Sequence, residues 1–136
     1  MLAQKNKAPG ASPILAAAYA LLIVYGSLYP FGGWLPAEDM LAFLTAPWPR
    51  YIIRSDIITN ILIYLPLGLL VARALRHRLS PGAAAVAAAL CLLLSLAMES
   101  LQALLPERVS SLLDLLLNGL GGLGGALLAR LTVNPP

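Results

Sequence analysis

The sequence predicts an all-α polytopic membrane protein: four transmembrane helices plus a short interfacial helix between the first and second. Three observations lead there. Hydrophobic residues make up 60% of the 136-residue chain and charged residues only 11%, against about 45–50% and about 25% in ordinary globular chains. A domain this small leaves much of its surface in water, and so few charged side chains cannot cover it. The apolar residues also gather into runs near the length of about 20 residues that a bilayer core demands. Together these exclude a soluble monomer and a disordered chain. The whole chain, residues 1–136, reads as a single transmembrane domain.

The first span runs from roughly Pro13 to Phe31, inside a window from Ala8 to Ala37 that holds no charged residue. Pro30, Gly32 and Gly33 end it, and Trp34 stands where an interfacial aromatic belongs. Lys5 and Lys7 form a basic head like that of a signal peptide. The apolar run is long, however, and no small-x-small site closes it cleanly, so the segment is expected to remain as an anchor. Pro36 to Pro49 is too short to span. Glu38 and Asp39 at its head, then Met40, Leu41, Phe43 and Leu44 at helical spacing, predict an interfacial or partly re-entrant helix over about 37–46.

The second span is placed from about Ser55 to Leu75. Its charge-free stretch, Ile57 to Ala72, is only sixteen residues, so Asp56 must lie at a membrane edge. Pro66 and Gly68 predict a kink. The third span runs from about Ser80 to Leu104 and the fourth from about Ser110 to Leu131, with Asp114 again near an edge.

The distribution of charge fixes an orientation. With both termini inside, the inner segments hold Lys5, Lys7, Arg73, Arg76, Arg78 and Arg130 and no acid. The outer segments hold Arg50, Arg54 and Arg108 and all six acids: Glu38, Asp39, Asp56, Glu99, Glu107 and Asp114. The positive-inside rule then predicts a multi-pass protein of the cell membrane with cytoplasmic N- and C-termini. In a bacterial cell the outer face is extracytoplasmic. The Arg73–Arg78 cluster reads as a topology signal that also meets anionic lipid.

Counting excludes several chemistries. The single histidine, His77, lies among arginines, and the single cysteine, Cys91, lies in an apolar run. That leaves no histidine triad, no multi-histidine or multi-cysteine metal site and no intrachain disulfide. No cofactor motif is present. No basic run with interleaved aromatics suggests nucleic acid.

The polar residues within the spans are the informative ones. Asp56 and Asn60 are spaced i, i+4 on the second span, and Asp114 and Asn118 repeat that spacing on the fourth. Ser95, Glu99 and Gln102 share one face of the third span, which runs the other way. All three faces fall at the same outer depth. Burying their charges in lipid would cost several kcal/mol, so the faces are expected to meet around a small polar pocket open to the outer side. Arg54 and Arg108 precede the two helix N-termini at that level, a setting suited to an anionic group.

Structural roles compete with functional ones. Ser111-Leu112-Leu113-Asp114 fits a capping box. Asn60 and Asn118 suit interhelical hydrogen bonds. Glu99, near a helix C-terminus, needs a partner, and Arg108 across the short turn is the one expected. Gly121-x3-Gly125 reads as a close-packing face against the alanine-rich third span, and the Gly119–Gly125 face is also the expected route to an oligomer.

These motifs, in this order, resemble the VanZ-like membrane protein family. The resemblance is carried by Tyr25-Ser27-Leu28-Pro30 and by Asp56-x3-Asn60 followed by Tyr64-Leu65-Pro66-Leu67-Gly68. It continues through Ser95-x3-Glu99-x2-Gln102, Pro106, Arg108 and Asp114-x3-Asn118-x2-Gly121, with Gly125 beyond. It covers about residues 25–125. Gly119 departs from the family, which often has a small hydroxyl residue there. The resemblance implies a polytopic membrane protein linked, in its founding member, to low-level resistance to the glycopeptide teicoplanin. It implies no particular reaction.

Three functions remain open. The favoured one is a cell-envelope protein whose pocket, formed by Arg54, Asp56, Asn60, Ser95, Glu99, Gln102, Arg108, Asp114 and Asn118, binds or modulates a lipid-linked or cell-wall head group, with an anionic group on the arginines. The second is an intramembrane enzyme using Glu99, Asp56 or Asp114 in acid–base catalysis. The third is a small transporter or flippase component.

Overall fold

The computed structural model describes residues 10–79 and 81–132, with the side chains of 77–79 left out. The basic head Lys5 and Lys7, the cluster members His77 and Arg78, and the expected start of the third span at Ser80 lie outside the described residues or side chains. Within them the chain forms four α-helices: α1 (Ala11–Leu28), α2 (Arg54–Leu79), α3 (Ala83–Gln102) and α4 (Leu112–Leu131). No strand occurs among the described residues. All four helices are long and apolar enough to cross a membrane.

The helix ends differ from the expected ones by a few residues. Pro81 and Gly82 delay α3 to Ala83, because neither continues a helix well. Toward its C-terminus, α1 closes at Leu28, two residues before Pro30. The larger departure lies between α1 and α2. Instead of an interfacial α-helix over 37–46, the segment makes a single 3-10 turn, Ala42–Leu44. Asp39 Oδ1 accepts the Leu41 N–H at 2.8 Å and holds a local turn that competes with helix. Pro36, Pro47 and Pro49 leave too few residues between them for a stable helix.

Hydrogen bonds between helices fix the arrangement. Asn60 reaches Asp114 near the starts of α2 and α4, and Gln102 reaches Ser27 near the ends of α3 and α1. At the opposite end Arg73 donates to Thr132, and Arg130 donates to the Pro81 carbonyl. The helices therefore alternate in direction, α2 and α4 running parallel. The packed interior is apolar except for the buried Ser95, Glu99 and Asn118. Ala72, Ala84, Ala87, Ala126 and Ala129 fill the Arg130 end, and Leu28, Met98 and Leu105 the other. Leu21, Leu22, Ile58, Leu62, Leu93 and Leu120 face outward, as lipid-facing residues do.

Glycines bring α2 and α4 into backbone contact. A methyl group on Gly121 would strike the backbone of Ile61, and one on Gly125 the backbone of Leu65 and Leu69. From the other side, Gly68 abuts the backbone of Gly122. The partner of Gly121-x3-Gly125 is thus α2, not the alanine-rich α3 expected from the sequence. Only Gly119 and Gly122 turn toward α3, against Leu92 and Cys91. Much of the face expected to join copies of the chain is used within it, and Gly124 alone of these glycines faces open space.

Pro66 is accommodated inside a continuous α2. It lacks the N–H that would pair with the Leu62 carbonyl. In this loosened turn the Tyr19 hydroxyl of α1 donates to the neighbouring Ile63 carbonyl at 2.7 Å. A position that weakens one helix thereby docks another.

Candidate functional site

Glu99 organises the site. It is 4% exposed in the last turn of α3. Its Oε2 accepts the backbone N–H of Ser111 at 2.8 Å, while its backbone carbonyl accepts the Ser110 hydroxyl at 2.6 Å. Ser111 is the N-cap of α4, and its Oγ accepts the Asp114 N–H at 3.3 Å. In a complete capping box the Asp114 carboxylate would return to the Ser111 N–H. Here Glu99 takes that N–H, so Asp114 is released to reach across to α2. Its Oδ1 accepts from Asn60 Nδ2 at 3.0 Å.

The expected Glu99–Arg108 pair does not form. Glu99 finds its partner in the positive end of α4, which favours a carboxylate. Arg108 instead closes the far end of α1: its Nη2 donates to the carbonyls of Gly26 at 3.1 Å and Tyr29 at 3.3 Å. Gln102 Nε2 donates to Ser27 between them at 2.9 Å. The last carbonyls of a helix have no partner within it. Two side chains from α3 and the α3–α4 turn supply three of these hydrogen bonds and hold α1 against the site.

Deeper in the bundle, Asn118 Nδ2 donates to Ser95 Oγ at 2.9 Å. Asn118 is 5% exposed and Ser95 fully buried, and Asn118 Oδ1 has no hydrogen-bond partner among the described residues. Tyr64 lies beside Ser95.

These groups surround a cavity of about 250 Å³ at the end of the bundle where α2 and α4 begin. Of the nine residues singled out from the sequence, Asn60, Glu99, Gln102, Arg108, Asp114 and Asn118 line it. Ser95 stands behind the wall, in contact through Asn118. Arg54 and Asp56 are exposed and lie outside the lining. Asp56 accepts a local hydrogen bond from the Ser55 hydroxyl and acts on Asp114 only as a nearby like charge. Ser27, Tyr64 and Glu107, which lie outside those nine, complete the polar lining. Tyr64 stands four residues after Asn60, so the helical spacing that picked out Asn60 carries one turn further to it.

Chemically the cavity is a hydrogen-bonding site with three acids, Glu99, Glu107 and Asp114, in its lining. Among the described residues no group of three histidine, cysteine, aspartate or glutamate side chains is placed to hold a metal ion.

Comparison with curated proteins and with solved structures returns no match. Comparison with family models does return one, and it takes in α2, α3, α4 and all but the first three residues of α1. The chain belongs to the VanZ/LLP1 family, whose model it matches over residues 14–133.

Proposed function

We propose that the chain is a cell-envelope membrane protein whose cavity receives the polar head group of a membrane lipid or of a lipid-linked cell-wall molecule. The observation that carries this reading is the cavity's place. Polar side chains from α2, α3, the α3–α4 turn and α4 face a space of about 250 Å³ at one end of an otherwise apolar bundle. In a membrane, that end lies at head-group depth. Ligand pockets commonly measure roughly 300–1,000 Å³, so this one fits a head group and not a whole glycolipid. With the termini cytoplasmic, the cavity opens on the extracytoplasmic side. A role in the cell wall there agrees with the glycopeptide resistance linked to the family's founding member. A phosphate of the head group would rest at the rim, on the N–H groups that Arg108 does not use for α1.

Lipid retention tests the reading. Protein purified in mild detergent and stripped of bulk lipid is expected to keep a lipid that native mass spectrometry detects. Asn60→Leu, which removes the Asp114 partner and places an apolar group in the wall, is expected to keep several-fold less. Equal retention by both proteins contradicts the proposal.

A further inference from the structure

The three amides of the cavity share one hydrogen-bonding polarity. Asn60 donates to Asp114, Gln102 to the Ser27 carbonyl and Asn118 to Ser95. Each uses its nitrogen on the protein and keeps its oxygen. The carboxylates do the same: Glu99 uses Oε2 for Ser111 and Asp114 uses Oδ1 for Asn60, and their second oxygens accept no hydrogen bond from the described residues. Asn118 Oδ1 is the extreme case, unpartnered in a residue only 5% exposed. A buried acceptor without a donor is costly, and a ligand that donates would remove the cost.

Charge points the same way. The lining holds three carboxylates, Glu99, Glu107 and Asp114, against the single guanidinium of Arg108, two of whose N–H bonds already go to α1. The acids do not form a metal cage among the described residues. What fits is a compact cation rich in N–H donors. A primary ammonium has three donors and no acceptor, and hydrogen bonds from it to carboxylates are charge-assisted.

We infer that the cavity takes a primary ammonium group, held by the free oxygens of Asn118, Glu99 and Asp114. This rests on the reading of the cavity as a head-group site and names the group it selects. In a zwitterionic head group the ammonium enters the cavity and the neighbouring phosphate stays at the Arg108 rim.

The test uses the full chain in detergent with an equimolar mixture of phosphatidylethanolamine, its mono- and dimethyl derivatives, phosphatidylcholine and phosphatidylglycerol, read by native mass spectrometry. Occupancy is expected to fall stepwise as N–H donors are replaced by methyl groups, with about tenfold more phosphatidylethanolamine bound than phosphatidylcholine. Asp114→Asn, nearly isosteric, is expected to remove most of that preference. The methylation series in the wild type decides the matter even where the variant does not fold. Free ethanolamine in competition reads the source: displacement shows the ammonium recognised on its own, and no displacement shows it recognised as part of the lipid. Either result is compatible only with ammonium selection once the methylation series is graded. Equal or greater binding of phosphatidylcholine or phosphatidylglycerol, lost in Asn60→Leu, overturns the ammonium assignment and leaves the head-group reading standing. Binding of no lipid, or binding that no cavity substitution changes, overturns both.

Discussion

Glu99 serves two helix ends at once. It closes α3 by its position and starts α4 by its carboxylate, which receives the Ser111 N–H. The oxygen acceptor matters more than the charge for this structural role. Glu99→Gln keeps an acceptor and is expected to leave thermal unfolding in detergent nearly unchanged. Glu99→Leu leaves the Ser111 N–H unpaired and is expected to cost about 1–3 kcal/mol. Arg108 has a different task. Removing it in Arg108→Ala frees the Gly26 carbonyl in the last turn of α1 and the Tyr29 carbonyl at its C-cap. Faster amide exchange over 26–29 is expected, with the centres of α2 and α4 unaffected. The sequence shows that Glu99 needs a partner, since spacing and helix direction place it at an unfavourable helix end. It does not show which partner, because a turn of nine residues, 103–111, can bring either Arg108 or the α4 N-terminus to it. The Ser111 cap is legible because it is local.

At the scale of elements, glycine placement decides which helices touch. Gly124 and Gly125 are neighbours in sequence with opposite surroundings. A methyl on Gly124 meets nothing, whereas one on Gly125 meets the α2 backbone. Both substitutions to alanine gain helix propensity of about 1 kcal/mol. Gly124→Ala is therefore expected to be neutral or stabilising. Gly125→Ala also forces α2 and α4 apart, at a cost of about 1–3 kcal/mol or more. Unfolding by a denaturing detergent, followed by circular dichroism, separates the two. Hydropathy alone makes the four helices legible, because lipid demands long apolar runs. Their rotation is not legible in that way. Nor is depth along the axis: Asp56 and Asn60 share a helix face, yet Asn60 enters the cavity and Asp56, one turn nearer the helix start, stays outside. The close backbone contact of Gly121 and Gly125 with α2 sets the rotation of α4, where the sequence pattern alone points those glycines at α3. The segment over 37–46 misleads for a related reason: its apolar spacing is helical, but prolines and an aspartate turn hold it open.

For the whole molecule, the proposal depends on the cavity facing outward. Val109 is 85% exposed and lies on the cavity lining, while the chain's own Cys91 is fully buried. A Val109→Cys variant in intact cells is expected to react with a membrane-impermeant maleimide without permeabilisation. Labelling only after permeabilisation would place the cavity on the cytoplasmic side and remove the envelope role. The most direct test of the central claim reads the cavity wall itself. Asn60 and Asn118 are two of only four asparagines in the chain, so asparagine-selective ¹⁵N labelling gives a sparse side-chain amide spectrum. With the protein in nanodiscs, adding phosphatidylethanolamine to a phosphatidylcholine background is expected to shift the side-chain amide signals of both residues in a saturable way. If those two signals stay unmoved while lipid binding is detected by other means, the head group binds elsewhere and the cavity is not its site.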